Sequence, residues 1–114
     1  MLTAVNLDEV MQELNEPYKP KTLAIVNGKV WVQLSLHRGE FPLGLHYHDV
    51  DDELFICIKG EVEIKTDSTP IRLREREMVH VKAGQVHCPN ATSDCYLIRI
   101  KTVAHMESIA WQGT

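Results

Sequence analysis

His46 and His48 stand two residues apart, and Glu53 opens the next apolar run. Residues two apart in a strand share a face, so these two imidazoles can reach one metal ion. Asp49 to Asp52 give the chain room to turn, and Leu54 to Ile58 then reads as a strand returning beside the first. A carboxylate at the start of that strand is a third ligand candidate. His87, three residues beyond the turn residue Gly84, is a fourth. Imidazole and carboxylate are what a site for Fe, Mn, Zn or Ni requires, and ligand type alone does not choose among these ions. Three neutral imidazoles and one carboxylate leave a divalent ion with one net positive charge, which favours an anionic or enolate oxygen ligand. An octahedral Fe or Mn ion would keep open positions for a chelating substrate, whereas a tetrahedral Zn ion with all four ligands would be closed and structural.

Short strands must position these residues. Asn6 to Asn15 reads as a helix with Asn6 as its cap, Asp8 and Glu9 at its positive end, and an apolar stripe of Leu7, Val10, Met11 and Leu14. Pro17 and Pro20 end it. Thr22 to Val26 and Lys29 to His37 are strand-like, and Asn27-Gly28 between them tolerates the positive φ of a tight hairpin. In the second run Val30, Val32, Leu34 and Leu36 alternate with Trp31, Gln33, Ser35 and His37, the pattern of a half-buried strand. Arg38 to Leu45 reads as a loop feeding the histidine strand. Glu61 to Lys65, Ile71 to Leu73, Met78 to Val81 and Cys95 to Lys101 are further strands, and Asn90 to Asp94 reads as a polar loop. No element is assigned to Thr102 to Thr114. Many short strands separated by turns predict an all-β sandwich or barrel.

From about Leu23 to Lys101 the sequence resembles the cupin superfamily. That family's first motif is Gly, His-x-His, four residues, Glu, six residues, Gly, and His46, His48, Glu53 and Gly60 match it. In the second motif Gly84 and His87 match, while Arg76, Lys82 and Ala91 stand at its opening Gly, Pro and Asn positions. The chain looks most like the small single-domain cupins often labelled mannose-6-phosphate-isomerase-like. The resemblance implies a double-stranded β-helix, a jelly-roll-like barrel with a short N-terminal helix, as one domain over 1–114 with its core at about 22–101. It implies a divalent metal held in the barrel mouth by His46, His48, Glu53 and His87. It further implies a small-molecule metalloenzyme of dioxygenase-like or related type. Two other readings stay open: a metal-dependent ligand-binding or sensor module without turnover, and a sugar-phosphate isomerase. The last needs convergent Lys or Arg side chains for a phosphate, and the sequence does not place them. Family habit and the small core together predict a homodimer.

At 114 residues, with 44% hydrophobic and 25% charged residues, the composition is that of a globular domain. A net charge of −4 offers no basic surface for nucleic acid. No run approaches the length of a membrane span and no signal peptide is visible. Cys57, Cys88 and Cys95, odd in number and without a CxxC pair, suit reduced thiols in the cytoplasm. Asp49, Asp51 and Asp52 read as a solvated loop, and His37, His80 and His105 as structural or surface residues, with His37 the exception to watch. Cys57 and Cys88 read as packing residues, and Tyr47 as pointing away from the metal.

Overall fold

The computed structural model describes residues 1–103 and 107–113. It begins with α1 (Leu7–Glu13), whose cap is Asn6: the side-chain oxygen accepts the Glu9 N–H at 3.0 Å. Strands β1 (Lys21–Val26) and β2 (Val30–Glu40) form the expected hairpin, with Asn27 at φ 52° and Gly28 at φ 63°. Then come β3 (His46–Tyr47), β4 (Glu53–Lys59), β5 (Glu61–Thr66), β6 (Ile71–Arg74), β7 (Met78–Val81), β8 (His87–Lys101) and β9 (Ile109–Ala110). Every pairing is antiparallel, and the result is the all-β barrel that the strand pattern predicts, in the double-stranded β-helix form that the resemblance implies.

The spine is β8. One edge pairs with β2 from Trp31↔Lys101 to Glu40↔Asn90 and then with β3 at His46↔His87. Its other edge pairs with β4 from Glu53↔Lys101 to Lys59↔Tyr96, and with β5 from Glu63↔Asn90 to Thr66↔His87. Two expectations are corrected here. Asn90 to Asp94 is not a loop but the middle of β8, and Arg38 to Glu40 belongs to β2 rather than to a loop. Thr92, Ser93 and Asp94 are exposed, as polar residues should be, and lie between the ladder pairs Gly39↔Ala91 and His37↔Cys95, which hold the strand extended through them. A bulge between His37 and Gly39, with Gly39 at φ 71°, absorbs the register shift that lets β2 continue. A further element, β9, lies within the segment left unassigned, and pairs with β3.

Two apolar clusters lie on opposite faces of the sheet. Phe55, Cys57, Val62, Ile64, Leu73, Cys95 and Leu97 fill the barrel. Leu34, Ile56, Ile98 and Ile100 pack outside it against Val10, Met11 and Leu14 of α1. Leu7, expected in the helix stripe, is exposed, because only the later turns of this short helix reach the sheet. Alternation then fixes what faces inward: Glu53, Phe55 and Cys57 from β4 and, from β8, Cys95, Leu97, Arg99 and Lys101. For β2 the inward face is the polar one. Leu34 packs under the helix, so Gln33, Ser35 and His37 point into the barrel, all buried. The expectation of a half-buried β2 is corrected accordingly: from Gln33 to His37 both faces are covered, one by α1 and one by the barrel.

Candidate metal centre

His46 on β3 faces His87 directly across the ladder, and their ring centroids are 4.4 Å apart. His48, just beyond β3, brings its ring within 5.3 Å of His46 and 5.2 Å of His87. One nitrogen from each of the three lies within 4.8 Å of the others, and all three residues are buried. Turns hold the arrangement. Gly44, at φ 74°, turns the chain into β3, and Gly84, at φ 87°, turns it into β8. The Gly84 N–H donates to the His48 carbonyl, tying the two histidine segments together.

Each ring is oriented from behind by a backbone carbonyl. Nδ1 of His46 lies 2.8 Å from the Gly44 oxygen, that of His48 2.9 Å from the Glu107 oxygen, and that of His87 2.8 Å from the Gln85 oxygen. A carbonyl only accepts, so Nδ1 carries the proton in all three and Nε2 is left with a bare lone pair. Nε2 of His48 and of His87 is buried without a hydrogen-bond partner. Orphaned buried acceptors are costly, and a metal ion is the partner that three converging imidazole lone pairs fit. Burial lowers the pKa of His46 and pushes that of His87 down to about 4, which keeps both rings neutral as ligands must be. His48 differs. Burial disfavours its charged form, but the Glu53 carboxylate and the Glu107 carbonyl outweigh burial and raise its pKa.

Glu53 is buried at the start of β4, as expected, yet it stands beside the three-histidine cluster rather than within it. One carboxylate oxygen lies 3.6 Å from His48 Nε2. The other accepts hydrogen bonds from Arg99, at 2.7 Å from Nε and more closely from Nη2. Burial works against the Glu53 carboxylate, but His48 and Arg99 prevail and hold its pKa at about 2.

A cavity of about 320 Å³ opens over the histidines, and Arg99 and Lys101 line its wall with Gln33, Ser35 and His37. Sequence reasoning missed all of these but His37. The signal was present in the alternation of Cys95 to Lys101, which puts Arg99 and Lys101 on the same face as Leu97. His37 is buried, its Nε2 lies 2.8 Å from the Ser35 hydroxyl and its Nδ1 has no partner. Burial, reinforced by Arg99, lowers its pKa to about 3.

The other candidates lie elsewhere. His80 pairs with Asp52 at 2.6 Å on the surface, and Asp51 accepts a hydrogen bond from Thr102. His105 falls outside the described residues. Tyr47 does not line the cavity. Cys57, Cys88 and Cys95 are buried free thiols, and burial pushes the Cys88 thiol up to about 11, which suits packing rather than reactivity. No helix among the described residues is long and apolar enough to cross a membrane.

Known proteins place this barrel. A solved cupin-2 domain protein from Shewanella frigidimarina superposes with a TM-score of 0.82 at 27% identity, covering 87% of this chain and 94% of that one. A double-stranded β-helix protein from Klebsiella pneumoniae superposes with a TM-score of 0.71 at 17% identity, covering 98% of this chain and all of that one (100%). A stretch of 42 residues is 38% identical to quercetin 2,3-dioxygenase of Bacillus subtilis, spanning 37% of this chain and 12% of that enzyme. Residues 32–100, from near the start of β2 to near the end of β8 and thus through the histidines, match the family model described as Cupin domain. With its fold, its three-histidine cluster and this match, the chain belongs to the cupin domain family.

Proposed function

We propose that this cupin is a metal-dependent enzyme of dioxygenase-like type that holds a small oxygenated substrate against a divalent ion. The ion would sit on Nε2 of His46, His48 and His87, with Glu53 as fourth ligand through the oxygen nearer His48. The observation that carries the reading is the set of three imidazoles with Nδ1 fixed on carbonyls and Nε2 converging, two of them orphaned. Bound there, an ion such as Fe or Mn supplies Lewis acidity and redox chemistry. The chain's own contributions are distinct. Arg99 holds Glu53 ionised and fixed. Phe55 and Phe41 pack beside the histidine rings and exclude water. His37, kept neutral by burial, presents an unpartnered Nδ1 at the cavity wall that can hydrogen-bond a ligand. The 38% identity with quercetin 2,3-dioxygenase, short as it is, supports an oxygenase over other chemistries. The same reading takes the chain as a cytoplasmic homodimer. Three free buried thiols suit a reducing compartment, and the outer edge of β1 carries the exposed Ile25 and Val26.

The test is elemental analysis of the purified chain, followed by oxygen-uptake assays with small diketones, enediols and thiols. Metal-dependent uptake with one of these classes, abolished in His46→Ala, is expected. A stably bound metal without uptake in any class would overturn the enzyme reading and favour a binding or sensor module.

A further inference from the structure

Beyond the histidines, the cavity wall holds polar groups that the metal site does not use. Lys101 is buried, at 6% exposure, and lines the cavity. It has no hydrogen-bond or ion-pair partner among the described residues. Its neighbour on the same face, Arg99, is occupied by Glu53, so those two charges offset each other. The protein side of the cavity is therefore left with the uncompensated charge of Lys101. The Lys101 stem is buried while its ammonium meets the cavity, and a cation at a cavity wall without a protein partner suits an anion arriving from outside. Gln33 stands on the adjacent strand, opposite Arg99 in register. Its Nε2 donates to the Thr22 hydroxyl at 3.0 Å, and its Oε1 is a buried acceptor without a partner.

We infer that Lys101 and Gln33 form the recognition end of the cavity and that its ligand is a small hydroxylated carboxylate, the carboxylate on Lys101 and a hydroxyl donating to Gln33. This deepens the proposed function and rests on it in taking the cavity as the substrate site. A single free ammonium group matches a monoanionic carboxylate. A phosphate dianion needs a second cation, and Arg99 is already engaged. The cavity volume is at the small end of ligand pockets, which limits the ligand to a few carbons or one ring. A lysine that only packed its stem along the barrel would give the cavity no preference for an anion.

The test is titration of the full-length chain with mandelate and with mandelamide, which has the same shape without the charge. Both ligands are run on metal-loaded protein and on chelator-treated protein, for the wild type, Lys101→Met and Lys101→Arg. Wild type is expected to prefer the acid by about tenfold, the worth of one charge-assisted hydrogen bond. The preference should persist after chelation, disappear in Lys101→Met and be retained in Lys101→Arg. Melting curves establish that each variant is folded, and Lys101→Gln, which also removes the charge and should also lose the preference, replaces Lys101→Met if that chain is not. Equal binding of acid and amide to the wild type would overturn the inference. So would an acid preference unchanged in Lys101→Met. A preference that vanishes on chelation would place the carboxylate on the metal, which overturns the Lys101 assignment while leaving the metal site standing.

Discussion

At the scale of single residues, the energetic crux is the ion pair between Glu53 and Arg99. The Glu53 side chain is almost wholly buried, that of Arg99 one-fifth exposed. Removing one partner of such a pair leaves a charge without compensation, at a cost of about 3–5 kcal/mol. Arg99→Met should therefore destabilise the chain by about that amount in denaturant melts, and adding Glu53→Gln should recover part of the loss. An Arg99→Met chain as stable as the wild type would mean that Glu53 is not held by Arg99. The ligand candidates were legible in the sequence because His-x-His spacing and strand alternation are local. The three histidines do meet. Glu53 was legible as a buried carboxylate at the site, but its engagement with Arg99 was not, since that contact spans β4 and β8 and depends on register. Lys101 was hidden for the same reason.

Among the elements, the positive-φ turns decide where the strands go. Gly60, at φ 81°, closes the turn from β4 to β5, and a Cβ there would lie 2.6 Å from the Asp94 carbonyl oxygen. That oxygen is backbone of β8, so relief would require the strand itself to shift. Gly60→Ala should cost at least about 2 kcal/mol, from backbone strain and the clash together, read as a lowered denaturation midpoint. Gly84→Ala tests the strain alone, because nothing lies within 4 Å of its added Cβ, and it should cost less than Gly60→Ala. Equal losses would show that the contact with Asp94 contributes nothing. Hairpin chemistry at Asn27-Gly28 and the cap at Asn6 were readable because each is a rule about neighbours in sequence. The extent of β8 was not. Polarity over Asn90 to Asp94 signals a loop, whereas the ladders that flank Thr92 to Asp94 keep the chain extended through them. The facing of β2 was hidden too, because alternation separates its two faces without saying which one turns inward. The helix took the apolar face, which left Gln33, Ser35 and His37 to the cavity.

For the whole molecule, the buried histidines set how stability responds to pH. His37 and His87 have folded pKa values of about 3 and about 4, and burial lowers His46 as well. In the unfolded chain each would take a proton near pH 6.5. Between these limits the unfolded state binds more protons, so their contribution is intact above about pH 6.5 and is lost as pH falls toward 4. Glu53 acts in the same direction at lower pH: its contribution is present above its ordinary value of 4.5 and is lost as pH falls toward about 2. His48, raised by its carboxylate neighbour, opposes them, since its contribution is present below about pH 6.5 and fades as pH rises through its folded pKa. Three lowered histidines outnumber one raised. The melting temperature of chelator-treated protein should therefore fall from pH 7 to pH 4, and a flat or rising profile would contradict the burial of these rings.

The most direct measurement of the central claim is metal stoichiometry. The full chain is loaded separately with Fe, Mn, Zn and Ni, desalted and analysed for bound metal, alongside His87→Ala. The account predicts one tightly held ion per wild-type chain for at least one of these metals. In His87→Ala, still folded by its melting curve, affinity should fall at least about tenfold, the loss that removing even an outer partner of a metal ligand produces. A wild-type chain that retains none of the four, or a His87→Ala chain that holds the ion as tightly as the wild type, would contradict it.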